Sequence, residues 1–313
     1  MTNRTIYKIK LVPALGSRFQ PTGFPDLGAA VFERSGSASE TADALLVESV
    51  QSMANWAERA TWDDATDAQI PLLDGLPYLR VRAEEDGSFL TSSRLEAHRL
   101  ASAYIMDGTI DGTNGEDWFA GQFGLVKGMP LNHRRLAAVI CRLDPLSLVH
   151  GVFFARGKWP WQPKVARALT CFIEADGVRQ AISGGVKKDS VNSEGGNTNT
   201  GYGMVPHQRV EYTATSITAF ASIDHDQIRA YGLGEAGEEL LVAIAEFELA
   251  TLFSGGLRLR TACDLEVSDP ETSGVPQLVS ASERVDRAIS AAGDLLGPVV
   301  DVTWAARSVK PKK

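Results

Sequence analysis

Cysteine is scarce and scattered: Cys141, Cys171 and Cys263 are the only three in 313 residues, and no Cys-x-x-Cys pair occurs. An odd number of distant thiols in apolar surroundings supports neither a disulfide framework nor a zinc knuckle. Histidine is little better placed, since His98, His133, His150, His207 and His225 include no pair three or four residues apart. A helical metal site needs that spacing, so no metal is expected. The chain has no Gly-x-x-x-x-Gly-Lys-Ser/Thr loop and no Gly-x-Ser-x-Gly elbow, and the glycines of 195–203 open no helix. These absences argue against a P-loop, a dinucleotide fingerprint and a serine hydrolase, and no cofactor is expected. No apolar run approaches the roughly 18 residues that span a bilayer, and the N-terminus lacks the apolar core of a signal peptide. The expectation is a cytoplasmic protein with no membrane partner.

What is present is an ordinary globular composition, 44% hydrophobic and 22% charged, long enough to bury a sizeable core. The net charge of −8 argues against a nucleic-acid partner until its distribution is read. Residues 121–215 hold twelve Lys and Arg against six Asp and Glu, while the rest of the chain holds 19 against 33. A basic middle in an acidic frame permits a one-sided electrostatic groove.

Periodicity sketches a mixed α+β chain. Residues 4–12 alternate as a strand, and a turn-rich segment follows from Ser17 to Gly28. The spacing of Leu45, Leu46, Ser49, Met53 and Trp56 predicts an amphipathic helix over 40–60. Strands are predicted at 78–82, 148–154, 168–175, 212–223, 257–266 and 299–304, and helices at 92–105, 131–142, 235–253 and 279–293. Asp86-Gly87 reads as a hairpin turn. His150 reads as a satisfied core histidine, and Asp224-His-Asp226 suits a helix cap as well as a cluster. No repeat and no linker divides the chain, so 1–313 is read as one domain.

Residues 183–209 are the most informative stretch, with six glycines, three asparagines and the pair Lys187-Lys188 between predicted strands. Such a loop closes over a polyanion or is simply a mobile surface loop. In the first reading Lys187, Lys188, Asn192 and Asn197 supply donors to phosphates. Arg18, Phe19, Gln20 and Thr22 place donors and an aromatic ring in the first loop, and Arg156 and Lys158 interleave with Trp159 and Trp161. That mixture suits phosphate contact and base stacking, although the two indoles also suit packing beside Pro160 and Pro163. Strict alternation over Leu257–Arg260 puts Arg258 and Arg260 on one strand face.

Several ordered segments together resemble one family. They include Gln20-Pro-Thr-Gly-Phe-Pro-Asp-Leu-Gly28, Leu46-Val-Glu-Ser-Val-Gln-Ser-Met-Ala-Asn55, Thr91-Ser-Ser-Arg-Leu-Glu-Ala-His-Arg99, Asp144-Pro-Leu-Ser-Leu-Val-His-Gly-Val-Phe-Phe154, Gly184-Gly-Val-Lys-Lys-Asp189, Val205-Pro-His-Gln-Arg-Val-Glu-Tyr212 and Gly256-Leu-Arg-Leu-Arg-Thr-Ala-Cys-Asp-Leu-Glu266. The set resembles the backbone subunit of the type I-G (formerly I-U) CRISPR Cascade complex, in the RAMP superfamily. The resemblance implies a modified RRM-like (ferredoxin-like) palm, a helical or finger insertion at about 83–130 and a thumb, for which 184–209 is the candidate by position and 107–130 the alternative. It implies a non-catalytic subunit that polymerises head to tail along guide RNA (crRNA), beside other Cascade subunits, and presents the spacer to target DNA. It adds Gly23, Ser52, Asn55, Arg94, His98, His207 and Arg209 to the expected RNA contacts. The competing reading is a RAMP-type endoribonuclease using Asp26 in the first strand–helix loop, where Asp26 also suits a plain turn after Pro25.

Overall fold

The alternation at the N-terminus forms β1 (Arg4–Pro13), with Ile9 and Leu11 buried and Lys8 and Lys10 turned to solvent. The structure is a computed structural model, which describes residues 3–24, 27–34, 42–187, 205–270 and 273–306. After the turn-rich segment come β2 (Val31–Arg34), β3 (Ala42–Glu48) and α1 (Val50–Ala60). The helix predicted over 40–60 is therefore strand over Ala42–Glu48 and helix only from Val50. Leu45 and Val47, two residues apart, are both buried, and backbone pairing on either side overrides a weak helical period. Ser49 ends the strand and caps α1, its Oγ accepting from Ser52 N at 3.3 Å.

An excursion follows, with β4 (Leu79–Ala83), β5 (Phe89–Ser92), α2 (Ala103–Met106), β6 (Thr109–Ile110), β7 (Thr113–Asn114) and α3 (Gly115–Phe123). Asp86-Gly87 makes the β4–β5 turn, with Gly87 at φ +71°. Next are α4 (His133–Leu143) and α5 (Leu146–His150). Of the strand predicted over 148–154, residues 148–150 belong to α5, because Pro145 starts a turn and Asp144 Oδ1 accepts from Leu146 N at 3.2 Å. Val152–Phe153 do pair as strand, with Lys164–Val165.

The chain returns through β8 (Leu169–Asp176), the hairpin β9 (Arg179–Lys187) and β10 (Val205–Thr213), and β11 (Ser216–Asp224). Then come α6 (His225–Ala230), α7 (Gly234–Ser254), β12 (Leu257–Arg260), β13 (Cys263–Val267), α8 (Leu278–Ala292) and β14 (Val300–Trp304). Asp224 is a cap, its Oδ1 accepting from Gln227 N at 3.0 Å. Residues 257–266, predicted as one strand, fold back at Thr261-Ala262 into the β12–β13 hairpin, with a bulge between Arg258 and Arg260.

The main sheet runs β12-β13-β1-β11-β8-β3-β2. Its four middle strands, β13-β1-β11-β8, are mutually antiparallel. Helix α1 connects β1 to β8 and α7 connects β11 to β13, which makes two split β-α-β units. That is the ferredoxin-like, RRM-like palm within an α+β fold. Helix α7 is apolar on nearly all sides and lies between the sheet, α1 and α8. A second sheet, β7-β6-β14-β4-β5, takes its middle strand from the C-terminal region, with β14 parallel to β4. The excursion expected at about 83–130 is thus built with residues 79–83 and 300–304 as well. The hairpin β9–β10 projects from the β8–β11 connection, pairing Arg179 with Thr213 through to Lys187 with Val205. Residues 184–187 and 205–209, predicted as loop, are strand in this hairpin, because ladder pairing satisfies the backbone whatever the side chains.

Candidate nucleic-acid interface

Helix α1 opens toward a groove of about 620 Å³ whose walls include Gln51, His98, Arg99, Arg156, Lys164 and Arg167. Arg167 crosses the base of α1, donating to Val50 O at 3.1 Å and to Gln51 Oε1 at 3.2 Å. Gln51 Nε2 in turn donates to Asn55 Oδ1 at 3.2 Å and to Ala97 O at 3.3 Å, tying the helix to the segment that carries His98. Arg156 is held by Asp107 at 3.1 Å, while His98 and Lys164 are exposed. No carboxylate is among the described walls of this groove. Arg156, Lys164 and Arg167, set against the positive end of α1, make it a seat for an anion. Gly151 lines it at φ +80°, and a Cβ there would meet Arg167 N and Val165 O at 3.0 Å. Only glycine fits that approach.

A buried ionic network supports the floor. Arg99 donates to both oxygens of Glu58 at 2.6 and 2.7 Å and to Gly151 O at 3.2 Å. Arg94 reaches Asp144 at 3.3 Å and Pro77 O at 3.1 Å. His150 Nε2 lies 2.9 Å from Glu248 Oε2. Burial pushes Glu248 up to about 8 and His150 down to about 3, and burial also raises Glu58, against the pull of Arg99. The pair therefore sits as a protonated carboxyl bonded to a neutral imidazole.

The pH dependence follows from those directions. Between about 4.5 and 8 the folded chain holds the Glu248 proton that the unfolded chain has released, so stability falls as pH rises through that window. Between about 3 and 6.5 the unfolded chain protonates His150 and the folded chain does not, so stability rises with pH. The slopes oppose below about pH 6.5, and above it the fall from Glu248 remains. Urea titrations should show wild type losing up to about 2 kcal/mol between pH 6.5 and 8, at about 1.4 kcal/mol per unit. Glu248→Gln, which keeps the shape and holds no titrating proton, should be flat there. An equal fall in the variant would show that another group carries it.

A second groove lies where the β12–β13 hairpin meets the base of β10, lined by Arg18, Glu211, Arg258 and Asp264. Its charges balance locally, since Glu211 takes Arg18 and Arg209, each at 3.2 Å. Arg258 is exposed and stands opposite Asp264 in the ladder. This groove is the weaker anion site.

Three residues expected at an RNA surface belong to the fold instead. Phe19 is 1% exposed, because its backbone bridges Tyr212 at 2.9 and 2.8 Å and draws the ring into the core. Arg94 is 4% exposed and committed to Asp144. Arg260 does not share a face with Arg258. A bulge between them turns Arg260, part-buried, inward, where it pairs with the buried Glu48 and donates to Gln20 O at 2.7 Å.

The other expected contacts are dispersed. Ser52 and Asn55 lie half-buried on α1 beside the first groove. Gln20 and Thr22 use their backbones, Gln20 N donating to Ala262 O at 2.6 Å and Thr22 N to Val47 O at 2.8 Å, and Gly23 pairs with Ala29. Lys158 is exposed beside Trp161, whose Nε1 donates to Met129 O at 2.8 Å, whereas Trp159 is buried against Phe123 and Phe154. Lys187 and His207 are backbone positions of β9 and β10. Asp26, Lys188, Asn192 and Asn197 lie outside the described residues. The sequence reading missed Lys164, Arg167 and Gln51. Its one signal for the first two was the basic excess over 121–215, which counts charge without direction.

No curated protein matches the chain. Among solved structures it is similar to a chain of a CRISPR RNA-guided surveillance complex, pre-nicking, with 13% identity over 84% of this chain and 75% of that one and a TM-score of 0.37. It is also similar to Csc2 of Thermofilum pendens, with 11% identity over 93% and 77% of the two chains and a TM-score of 0.30. The sequence model of one family, CRISPR-associated protein GSU0053, matches residues 6–180, which is more than half of the chain. The chain belongs to the CRISPR-associated protein GSU0053 family.

Proposed function

We propose that this chain is a non-catalytic backbone subunit that binds guide RNA in a type I Cascade effector, of type I-G, in the cytoplasm. Copies stack head to tail along the RNA, beside other Cascade subunits, and leave the spacer bases free to pair with target DNA. The observation that carries the reading is the α1 groove, with Arg156, Lys164, Arg167 and His98 on walls that hold no described carboxylate. Guanidinium, ammonium and helix N–H donors grip phosphates without reading bases, which suits a subunit whose specificity is delegated to base pairing. The β9–β10 hairpin is the element that would act as the thumb over the strand. An unclosed head-to-tail interface then propagates as a filament.

The test is Lys164→Gln with Arg167→Gln, titrated with RNA at several salt concentrations. Affinity should fall about equally for unrelated sequences, and the salt slope should shrink by about 0.7 per lost contact, or about 1.4 in all. An unchanged slope in a folded variant would remove phosphate from this groove. Regular-interval cuts in matched RNA, abolished by Asp26→Ala, would replace the non-catalytic reading with an endoribonuclease.

A further inference from the structure

Among the described residues, the face of the main sheet opposite α1 and α7 is exposed along β1 and partly exposed along β11 and β8, and its centre is aromatic. Phe220 on β11 stands directly across from Phe172 on β8, and the two rings stack with centroids 5.5 Å apart at 28°. On the other side Phe220 stands across from Lys8, so Lys8, Phe220 and Phe172 form one row over three strands. The next row begins with Lys10 across from Thr218, and the row before with Ile6, 60% exposed, across from Ser222. Three of the acids near this strip are paired, since Arg34 reaches Glu174 at 2.5 Å and Asp176 at 3.0 Å and Arg4 reaches Asp224 at 2.8 Å. Glu266, exposed across from Val12, lies one row beyond Lys10 at the strip's end. Lys8 and Lys10 remain exposed and enter no ion pair among the described residues. Two partly exposed phenyl rings beside the exposed Ile6 and the two lysines make an apolar patch on the sheet face, which solubility alone does not select.

We infer that this face is a second nucleic-acid site, one that holds single-stranded DNA by stacking bases on Phe220 and Phe172 while Lys8 and Lys10 take the phosphates. Aromatic rings beside cations bind single strands with little sequence preference, because every base has a flat face. Lys8 and Lys10 lie two residues apart on a strand, about 6.7 Å, a step suited to neighbouring phosphates of an extended chain. A base laid on the sheet is unavailable for pairing, so the strand held here is not the one being read. The inference rests on the proposed function for its source: when guide RNA pairs with one DNA strand, the other is released unpaired. The α1 groove lies on the helix side, so the two strands do not compete.

The experiment uses the chain purified with the RNA it carries, and anisotropy of labelled dT20 as the probe. Wild type should bind dT20 without releasing its RNA. Phe220→Leu, still folded by its cooperative melt, should bind it roughly tenfold or more weakly at unchanged RNA content. Phe220→Trp should keep or tighten binding, because it preserves the stacking surface. Lys8→Gln with Lys10→Gln should lower the salt slope for dT20 by about 1.4. Equal binding by Phe220→Leu would overturn the site, and so would loss of the carried RNA in that variant, which would put the guide on this face. Should no RNA copurify, it is the reading of the α1 groove that fails. The leucine and tryptophan variants on the RNA-free chain then still decide the sheet face.

Discussion

Arg99→Ala should destabilise the protein by about 3–5 kcal/mol, the range for breaking a buried ion pair from one side. Arg99 gives two bonds to Glu58 and a third to Gly151 O, and both side chains are almost fully buried. It also holds a left-handed backbone at φ +51°, a position a non-glycine residue keeps only where its surroundings impose it. Truncation strands the Glu58 carboxylate in the core with nothing opposite. Because burial already raises Glu58, the variant should recover part of its loss as pH falls and the carboxyl takes up a proton. Arg99→Met with Glu58→Met should cost less than Arg99→Ala alone, since no charge remains to be buried. Urea midpoints at two pH values measure all of this. A loss below about 1 kcal/mol for Arg99→Ala would mean that water reaches Glu58 and that the groove floor is not dry.

Arg260→Ala should also cost about 3–5 kcal/mol, whereas Arg258→Ala should stay within about 0.5 kcal/mol. Glu48 is 1% exposed, and Arg260 is its cation. That one side chain also closes onto Gln20 O and Val47 O, fastening the β12–β13 hairpin to the first loop and to β3. Arg258 stands on the outer side, opposite Asp264 at the rim of the second groove. Thermal melts of the two single variants separate the roles. Similar losses for both would mean that the bulge does not divert Arg260. A reduced RNA affinity in Arg258→Ala at unchanged stability would assign the second groove to the RNA path.

The sequence-level signals that succeeded share a physical cause. Where one face of an element is dry and the other wet, period alone specifies it, as in β1 and β8. The strand predicted over 212–223 holds most of β11 but runs across the turn at Ala214-Thr215 that ends β10. Helix α7 was legible from its apolar length, and the β4–β5 turn from Asp86-Gly87, whose glycine takes a positive φ. Ala42–Glu48 failed because Ala-Leu-Leu-Val satisfies a helix or a fully paired strand equally, and the neighbours β8 and β2 decided for strand. His98 and Arg156 were expected at an RNA surface, and the fold sets both in one groove. Lys164 and Arg167 follow Arg156 within one short stretch, and what the fold alone supplies is the approach of His98 and Gln51 from distant segments.

By itself, then, the sequence determined the class of the molecule: an α+β chain without the spacing for metal or nucleotide loops, basic in its middle third, with its strand periods in place. Those properties are local, set by residue type over a few neighbours. Which cations face solvent was decided only by tertiary structure. Arg258 and Arg260 are alike in a period-two pattern, and one bulge turns the second, part-buried, onto the buried Glu48. Phe172 and Phe220 are 48 residues apart and silent in composition until the β8–β11 register lays one ring on the other. Long-range register and burial fix where a charge or ring ends up, and neither is a property of any short stretch of chain.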